Sequence, residues 1–255
     1  MNQETEPVVS LKALSKSFGD FPALRELTLE VFPGEIFALL GPNGAGKTTA
    51  MKLLTGMLAP TSGEARIGGF DCFRDRVKTM AITGYQPDEP VFQDHLSGWD
   101  LIRFAGDLRG MSPKESRDKG GEIADRLDLT RDLNEYANNY SKGMRKKLAA
   151  ILALMHEPRV LILDEPTNGL DPYATRDFHA LMREHAARGA SVFFSTHLLD
   201  QAQRNCRRLG IIHKGNLAAI GTLEELRRET GQHLEDIFFA FTGGSEMAVD
   251  LEESR

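Results

Sequence analysis

The sequence predicts an α/β fold built on a parallel sheet, with one helical interruption. Three observations carry the prediction. Short apolar runs suited to buried strands alternate with helical patterns along most of the chain. A glycine-rich stretch, residues 41–48, joins one of these runs to a helix. Between residues 96 and 155 the strand signals vanish. Strands separated by helices pair in parallel, so the last observation reads as a helical subdomain set into a sheet-building chain.

The elements follow in order. In residues 27–31 apolar Leu27, Leu29 and Val31 alternate with Thr28 and Glu30, the pattern of a half-buried strand at a sheet edge. Pro33-Gly34 turns the chain into a continuous apolar run, Ile36–Leu40, suited to the sheet core. After Gly46 the pattern becomes helical as far as Leu58. Further strands are expected at 65–67, 82–85, Val160–Leu163, 192–194 and 209–212. In the interruption, helices are expected to start at Ser97, at Ser112-Pro113 and at Ser141, because serine accepts hydrogen bonds from first-turn N–H groups. Thr222-Leu223-Glu224-Glu225 has the form of a capping box and announces a final helix, and the acidic last dozen residues are expected to fray.

Composition narrows the class. A chain of 255 residues, 41% hydrophobic, can bury a substantial core. The longest apolar run, residues 148–155, falls well short of the roughly 20 residues a membrane-spanning helix needs, and mean hydropathy is −0.32. No charged-then-apolar leader opens the sequence, which sets the expectation of a cytosolic protein. Cys72 and Cys206 stand apart without CxxC spacing, which fits packing residues in a reducing compartment. A net charge of −6 supplies no global basic field for nucleic acid.

Residues Gly41-Pro42-Asn43-Gly44-Ala45-Gly46-Lys47-Thr48 match G-x-x-x-x-G-K-[ST] in full. An apolar strand precedes the match and a helix follows, so backbone N–H groups can wrap phosphates while the helix N-terminus presents its positive dipole end. Lys47 would reach the β- and γ-phosphates and the Thr48 hydroxyl would coordinate Mg²⁺; Thr49, next in the helix, completes the expected nucleotide-binding set. A glycine-rich turn with a chance lysine is the bland alternative, and the strand and helix on either side disfavour it.

This loop explains a second stretch. The run Val160–Leu163 ends in two adjacent carboxylates, Asp164 and Glu165, which repel each other and resist leaving water. If this strand lies beside the one feeding the phosphate loop, both carboxylates stand at the carboxyl end of the sheet, where ligands of open α/β folds bind. Asp164 would then hold Mg²⁺ through a water, and Glu165 would polarise the water that attacks phosphorus.

With these motifs in place, the chain resembles the ATP-binding subunit of ABC transporters from about Val8 to Gly221. The resemblance implies a P-loop NTPase of ABC ATPase type with an antiparallel β subdomain. Its ATP-binding domain would span 1–222, with the helical subdomain at about 95–156, followed by a C-terminal helical extension and acidic tail at 223–255. Tyr140-Ser141-Lys142-Gly143-Met144 stands where the family carries its signature, in a form similar to exporter-type members. Ser141 and Gly143 would bind the γ-phosphate held by a second subunit, so that a homodimer or heterodimer sandwiches two ATP molecules head to tail. Gly169-Leu170-Asp171 matches the D-loop, although Asp171-Pro172 also reads as an ordinary helix start. His197 matches the switch histidine that contacts the γ-phosphate and orients water, and Phe18 aligns with the aromatic that stacks on adenine.

One position departs from the family pattern. Its Q-loop places Gln, or Glu in some exporter-type members, after a Pro; here the stretch is Gly84-Tyr85-Gln86-Pro87-Asp88-Glu89. Strict alignment puts Asp88 at the metal, and only a shifted loop would substitute Gln86. Val91, Phe92 and Trp99 follow, either as an exposed apolar surface for a partner or as core of the helical subdomain.

The resemblance implies ATP hydrolysis, with ATP and Mg²⁺ bound, driving an exporter-type complex. The partner would be a transmembrane permease on a separate chain, which would hold this protein on the inner face of the cell membrane. A competing class applies the same ATPase to nucleic acid or ribosomes. Against it, Lys47 and Ser141 are too close in sequence for the coiled-coil insertion of repair-type heads, and translation-type members carry two cassettes where this chain has one phosphate loop. Its best basic run, Arg145-Lys146-Lys147, reads as a solvated helix face, so no nucleic acid is expected. A non-hydrolysing regulator is disfavoured by the presence of Glu165 and His197, and a GTPase by the lack of NKxD.

Overall fold

The computed structural model describes residues 6–230. The first two strands, β1 (Val9–Phe18) and β2 (Phe21–Val31), form an antiparallel hairpin. Strand β3 (Ile36–Leu40) leads through the glycine-rich loop into α1 (Lys47–Leu54). Two more strands, β4 (Ser62–Ile67) and β5 (Phe70–Asp71), precede α2 (Arg76–Ala81) and β6 (Thr83–Gln86). Three helices follow: α3 (Gly98–Leu108), α4 (Pro113–Arg126) and α5 (Lys142–Leu154). The chain then alternates through β7 (Val160–Leu163), α6 (Pro172–Ala187), β8 (Ser191–Thr196), α7 (Leu199–Asn205) and β9 (Arg208–His213). It closes with β10 (Asn216–Thr222) and α8 (Leu223–Thr230). The acidic tail expected beyond α8 lies outside the described residues.

Two sheets result. One is antiparallel in the order β2-β1-β4-β5; the other runs β10-β9-β3-β8-β7-β6, with parallel pairing from β9 to β6 and β10 antiparallel at the edge. This corrects one expectation: β7 is not the direct neighbour of β3. Strand β8 lies between them, pairing Ala38 with Phe194 on one side and Leu163 with Phe194 on the other. The carboxyl ends of all three parallel strands still point the same way, so the loop after β3, the carboxylates after β7 and the histidine after β8 share one edge.

Both faces of the parallel sheet are covered, which is why β3 and β7 read as unbroken apolar runs. On one face Phe37, Leu39, Ile162 and Phe193 pack with α1 and the antiparallel sheet, the Phe37 and Phe193 rings stacked at 5.6 Å. On the other, Leu40, Leu161, Leu163 and Phe194 pack with the inserted helices and α6. Helix α5 approaches β6 so closely that a Cβ at Gly84 would collide with the Ala153 carbonyl oxygen.

Local chemistry sets the helix ends. Ser97 with Asp100 and Ser112 with Glu115 form capping boxes at α3 and α4, and Ser141 caps α5 by accepting from Met144 N. Thr222 and Glu225 exchange the same pair of bonds at α8. Helix α1 stops at Leu54 rather than running to Leu58, because Gly56, one residue past the Thr55 cap, turns left-handed at φ +64°. No helix among the described residues is long and apolar enough to cross a membrane.

Candidate functional site

The phosphate loop is shaped by Gly46, whose φ of +109° and close approach to the Ala23 carbonyl, 2.7 Å from any added Cβ, exclude other residues. No side chain caps α1, so its first N–H groups are left for a ligand. They open onto a cleft of about 370 Å³ that is lined by residues 43–49 together with Phe18, Phe21, Ala23, Asp88 and Glu165. Phe18 and Phe21 pair across the β1–β2 turn and are exposed at 49% and 65%, leaving two ring faces at the cleft rim.

Lys47 is nearly buried. Its ammonium donates to the Gly41 and Pro42 carbonyls at 2.6 and 3.1 Å and pairs with Glu165 Oε1 at 3.1 Å. Glu165 Oε2 lies 3.0 Å from His197 Nδ1. Burial alone would push the Glu165 carboxyl up, but the His197 hydrogen bond and the Lys47 charge outweigh it and hold the group below its usual range. An ionised Glu165 can only accept, so the proton in this contact sits on His197 Nδ1. Lys47, Glu165 and His197 thus form one continuous chain of polar contacts, with each residue supplied by a different strand end.

Asp164 is fully buried. Its Oδ1 accepts from Ser195 Oγ at 2.6 Å, and Ser195 Oγ in turn accepts from Glu165 N at 2.9 Å. Burial raises the Asp164 carboxyl, against hydrogen bonds from Ser195 and Thr48 that lower it. Asp164 Oδ2 has no partner among the described residues, a costly state for a buried oxygen. An orphaned carboxylate oxygen beside Thr48, with Asp88 on the cleft wall, is an oxygen-only donor set of the kind Mg²⁺ takes. The described residues contain no cluster of three or more His, Cys, Asp or Glu able to hold a metal by themselves, so such an ion would share its ligands with the nucleotide. Bound there, Mg²⁺ would neutralise phosphate charge.

Of the two Q-loop candidates, Asp88 lies on the cleft and Gln86 does not. Gln86 is the last residue of β6, fully buried, and its amide donates to the Pro166 carbonyl at 3.1 Å. Asp88 instead pairs with Lys146 at 3.1 Å. Val91 is 90% exposed, whereas Phe92 and Trp99 pack against the helical core, Trp99 beneath the Arg117 guanidinium.

The remaining candidates form a second group. Ser141 and Gly143 begin α5, where a Cβ on Gly143 would stand 3.1 Å from the Gly169 carbonyl. Asp171 caps α6 by accepting from Tyr173 N and Ala174 N, both at 2.9 Å. None of these three lines the phosphate-loop cleft.

Two residues at the site were not expected from the sequence. Ser195 ties Asp164 to Glu165, a link made only when β7 and β8 pair. Lys146 belongs to the basic run expected to be solvated, yet it is fully buried. Its position was legible: Lys146, Ala150 and Ala153 share one face of α5 at helical spacing, and the other two are apolar.

A family described as ABC transporter matches residues 24–168. The chain is 35% identical to the uncharacterized ABC transporter ATP-binding protein YdbJ of Bacillus subtilis (strain 168), over 91% of this chain and 75% of that protein. It is 31% identical to the daunorubicin resistance ATP-binding protein DrrA3 of Streptomyces coeruleorubidus, over 96% of this chain and 78% of the other. Among solved structures, an ATP-binding subunit of an ABC transporter superposes with a TM-score of 0.87 at 32% identity, covering 92% of this chain and 99% of that one.

Proposed function

This chain belongs to the ABC transporter family as an ATP-binding subunit, an ATPase, and we propose that it drives an exporter-type membrane complex by closing head to tail on a second subunit around two Mg²⁺-ATP. ATP enters the cleft with its base against Phe18 and Phe21 and its phosphates over residues 41–49. Lys47 holds the β- and γ-phosphates. Thr48, Asp164 and Asp88 supply oxygens to Mg²⁺. Glu165 accepts the proton of the attacking water, and His197 keeps the carboxylate oriented.

The contact chain Lys47–Glu165–His197 carries this reading, because it puts phosphate holder, base and orienting group within hydrogen-bond reach of one another. The separation of Ser141 and Gly143 from the cleft supports a two-chain site: an anion-binding helix start serves a phosphate only if that phosphate sits on another copy or a homologous chain. The exporter direction rests on the YSKGM form of the signature and on a relative named for drug resistance. The permease partner follows from the family, since no described helix spans a membrane, and it would place the chain on the inner face of the cell membrane. With Lys146 buried, only two of the three cations in the basic run 145–147 are left to face a nucleic acid, which further disfavours that substrate.

The test is gel filtration of the Glu165→Gln protein followed by affinity purification from membranes. ATP should shift the variant to a dimer and ADP should leave it monomeric, and the wild-type chain should bring down a multi-span membrane protein. A variant that is monomeric with both nucleotides, even with the membrane partner bound, contradicts the two-chain site.

A further inference from the structure

Lys146 has no accessible surface, yet its ammonium is surrounded by oxygen: Glu165 O at 2.7 Å, Asp88 Oδ1 at 3.1 Å, Asp164 O at 3.4 Å and Pro87 O at 3.5 Å. An ammonium offers three donors, and a sealed cation persists only when paired and hydrogen-bonded. Asp88 supplies the only carboxylate among these contacts. The other end of the cluster is equally unusual. Glu165 has φ +44°, a left-handed backbone that a residue with a Cβ seldom adopts unless its surroundings fix it. Two side chains fix it here: Ser195 Oγ accepts from its N–H, and Lys146 donates to its carbonyl.

We propose that Lys146 is a positioning residue for hydrolysis: one buried ammonium ties the Asp88 carboxylate to the carbonyl of Glu165, so that the helix beginning at Ser141 and the loop after β6 hold the base in its left-handed geometry. The proposal rests on the reading of Glu165 as the base. It also accounts for an aspartate at a position where the family usually has a neutral amide. Asp88 and Lys146 form a neutral pair, so the carboxylate adds no net charge to the wall facing a triphosphate. Because α5 carries both Ser141 and Lys146, any shift of that helix acts on Glu165 directly.

The test uses the full chain and removes both charges, so that no unpaired ion stays buried. In Asp88→Asn/Lys146→Met no donor remains for the Glu165 carbonyl; in Asp88→Asn/Lys146→Gln a shorter amide keeps one. Loss of an orienting partner of this kind typically costs about 10- to 100-fold. Both pairs give up the Asp88 carboxylate assigned to Mg²⁺, so they are compared with each other: the Met pair should lie below the Gln pair in kcat by that factor, with KM for Mg²⁺-ATP equal in the two within about threefold. Equal kcat in the two pairs overturns the proposal, as does a joint loss of kcat and ATP binding that only tracks the folded fraction. If the Met pair does not fold, Lys146→Gln with Asp88 intact decides: lowered kcat at constant KM supports the role, wild-type kcat removes it. Glu165→Gln measured alongside keeps two failures apart. Near-normal turnover in that variant defeats the assignment of the base, whereas an inactive Glu165→Gln beside a fully active Met pair defeats only the role of Lys146.

Discussion

Lys47 Nζ and Glu165 Oε1 stand 3.1 Å apart, so the ammonium that faces the phosphate cleft is held by the carboxylate that faces the same space. Nucleotide phosphates must therefore compete with Glu165 for Lys47. Lys47→Ala should weaken ATP binding by about 1.5–3 kcal/mol, the usual worth of a charged hydrogen bond, or roughly 10- to 100-fold in Kd. Calorimetric titration with Mg²⁺-ATP measures this directly, and an unchanged Kd would show that Lys47 serves Glu165 and the loop carbonyls rather than phosphate.

The signature at the start of α5 gives a second prediction. Ser141 is exposed, and among the described residues its oxygen accepts only from Met144 N, so a longer cationic side chain there costs the helix cap about 0.5–2 kcal/mol. Ser141→Arg in the Glu165→Gln background should leave ATP binding intact and abolish the ATP-induced dimer in light scattering. Persistence of the dimer would reduce Ser141 to a helix cap.

Acid stability follows from two half-buried histidines. Burial, with Arg109 beside one and Arg183 and Arg204 beside the other, depresses His156 and His179 to about 4. An unfolded histidine titrates near 6.5, so below that pH the unfolded chain takes up protons that the folded chain refuses. The stability tied to the neutral histidines is complete above about pH 6.5 and is lost between 6.5 and about 4. The melting temperature should fall across that window, and His156→Gln/His179→Gln should flatten the fall. An unchanged slope would mean that other groups drive the acid transition.

The apolar surface beside the Q-loop gives a fourth prediction. Val91 is almost fully exposed and lines an open groove with Asp88, Phe92 and Arg145. Val91→Asp should leave hydrolysis by the isolated chain within about twofold, since surface substitutions usually shift stability by less than about 0.5 kcal/mol. Co-purification with the membrane partner should drop sharply. Equal recovery of the partner would place its contact elsewhere.

Much of this site is legible in the sequence because it depends on local pattern. The phosphate loop, the Asp164-Glu165 pair and His197 each follow a strand buried on both faces, and such strands read as unbroken apolar runs. Strand β1 is harder to see. Lys12, Ser15, Lys16 and Ser17 interrupt it, and Ala13, at φ +46°, throws the alternation out of register where β1 pairs irregularly with β2. The placement of β8 between β3 and β7 is a long-range pairing that no local signal records. The Ser195 link is hidden for the same reason, since its partner lies 31 residues away in sequence, and although helical spacing marks the burial of Lys146, nothing local marks its partner 19 residues on.

The central claim is that Glu165 is the base of an ATP-hydrolysing cleft, and steady-state phosphate release from the purified chain with Mg²⁺-ATP, wild type against Glu165→Gln, tests it most directly. A positioned base contributes roughly 10²- to 10⁴-fold. Glu165→Gln removes that base and at the same time frees Lys47 for phosphate. The variant should lose turnover by that factor while binding Mg²⁺-ATP at least as tightly as the wild type. Turnover within a few-fold of the wild type, with binding intact, would contradict the account.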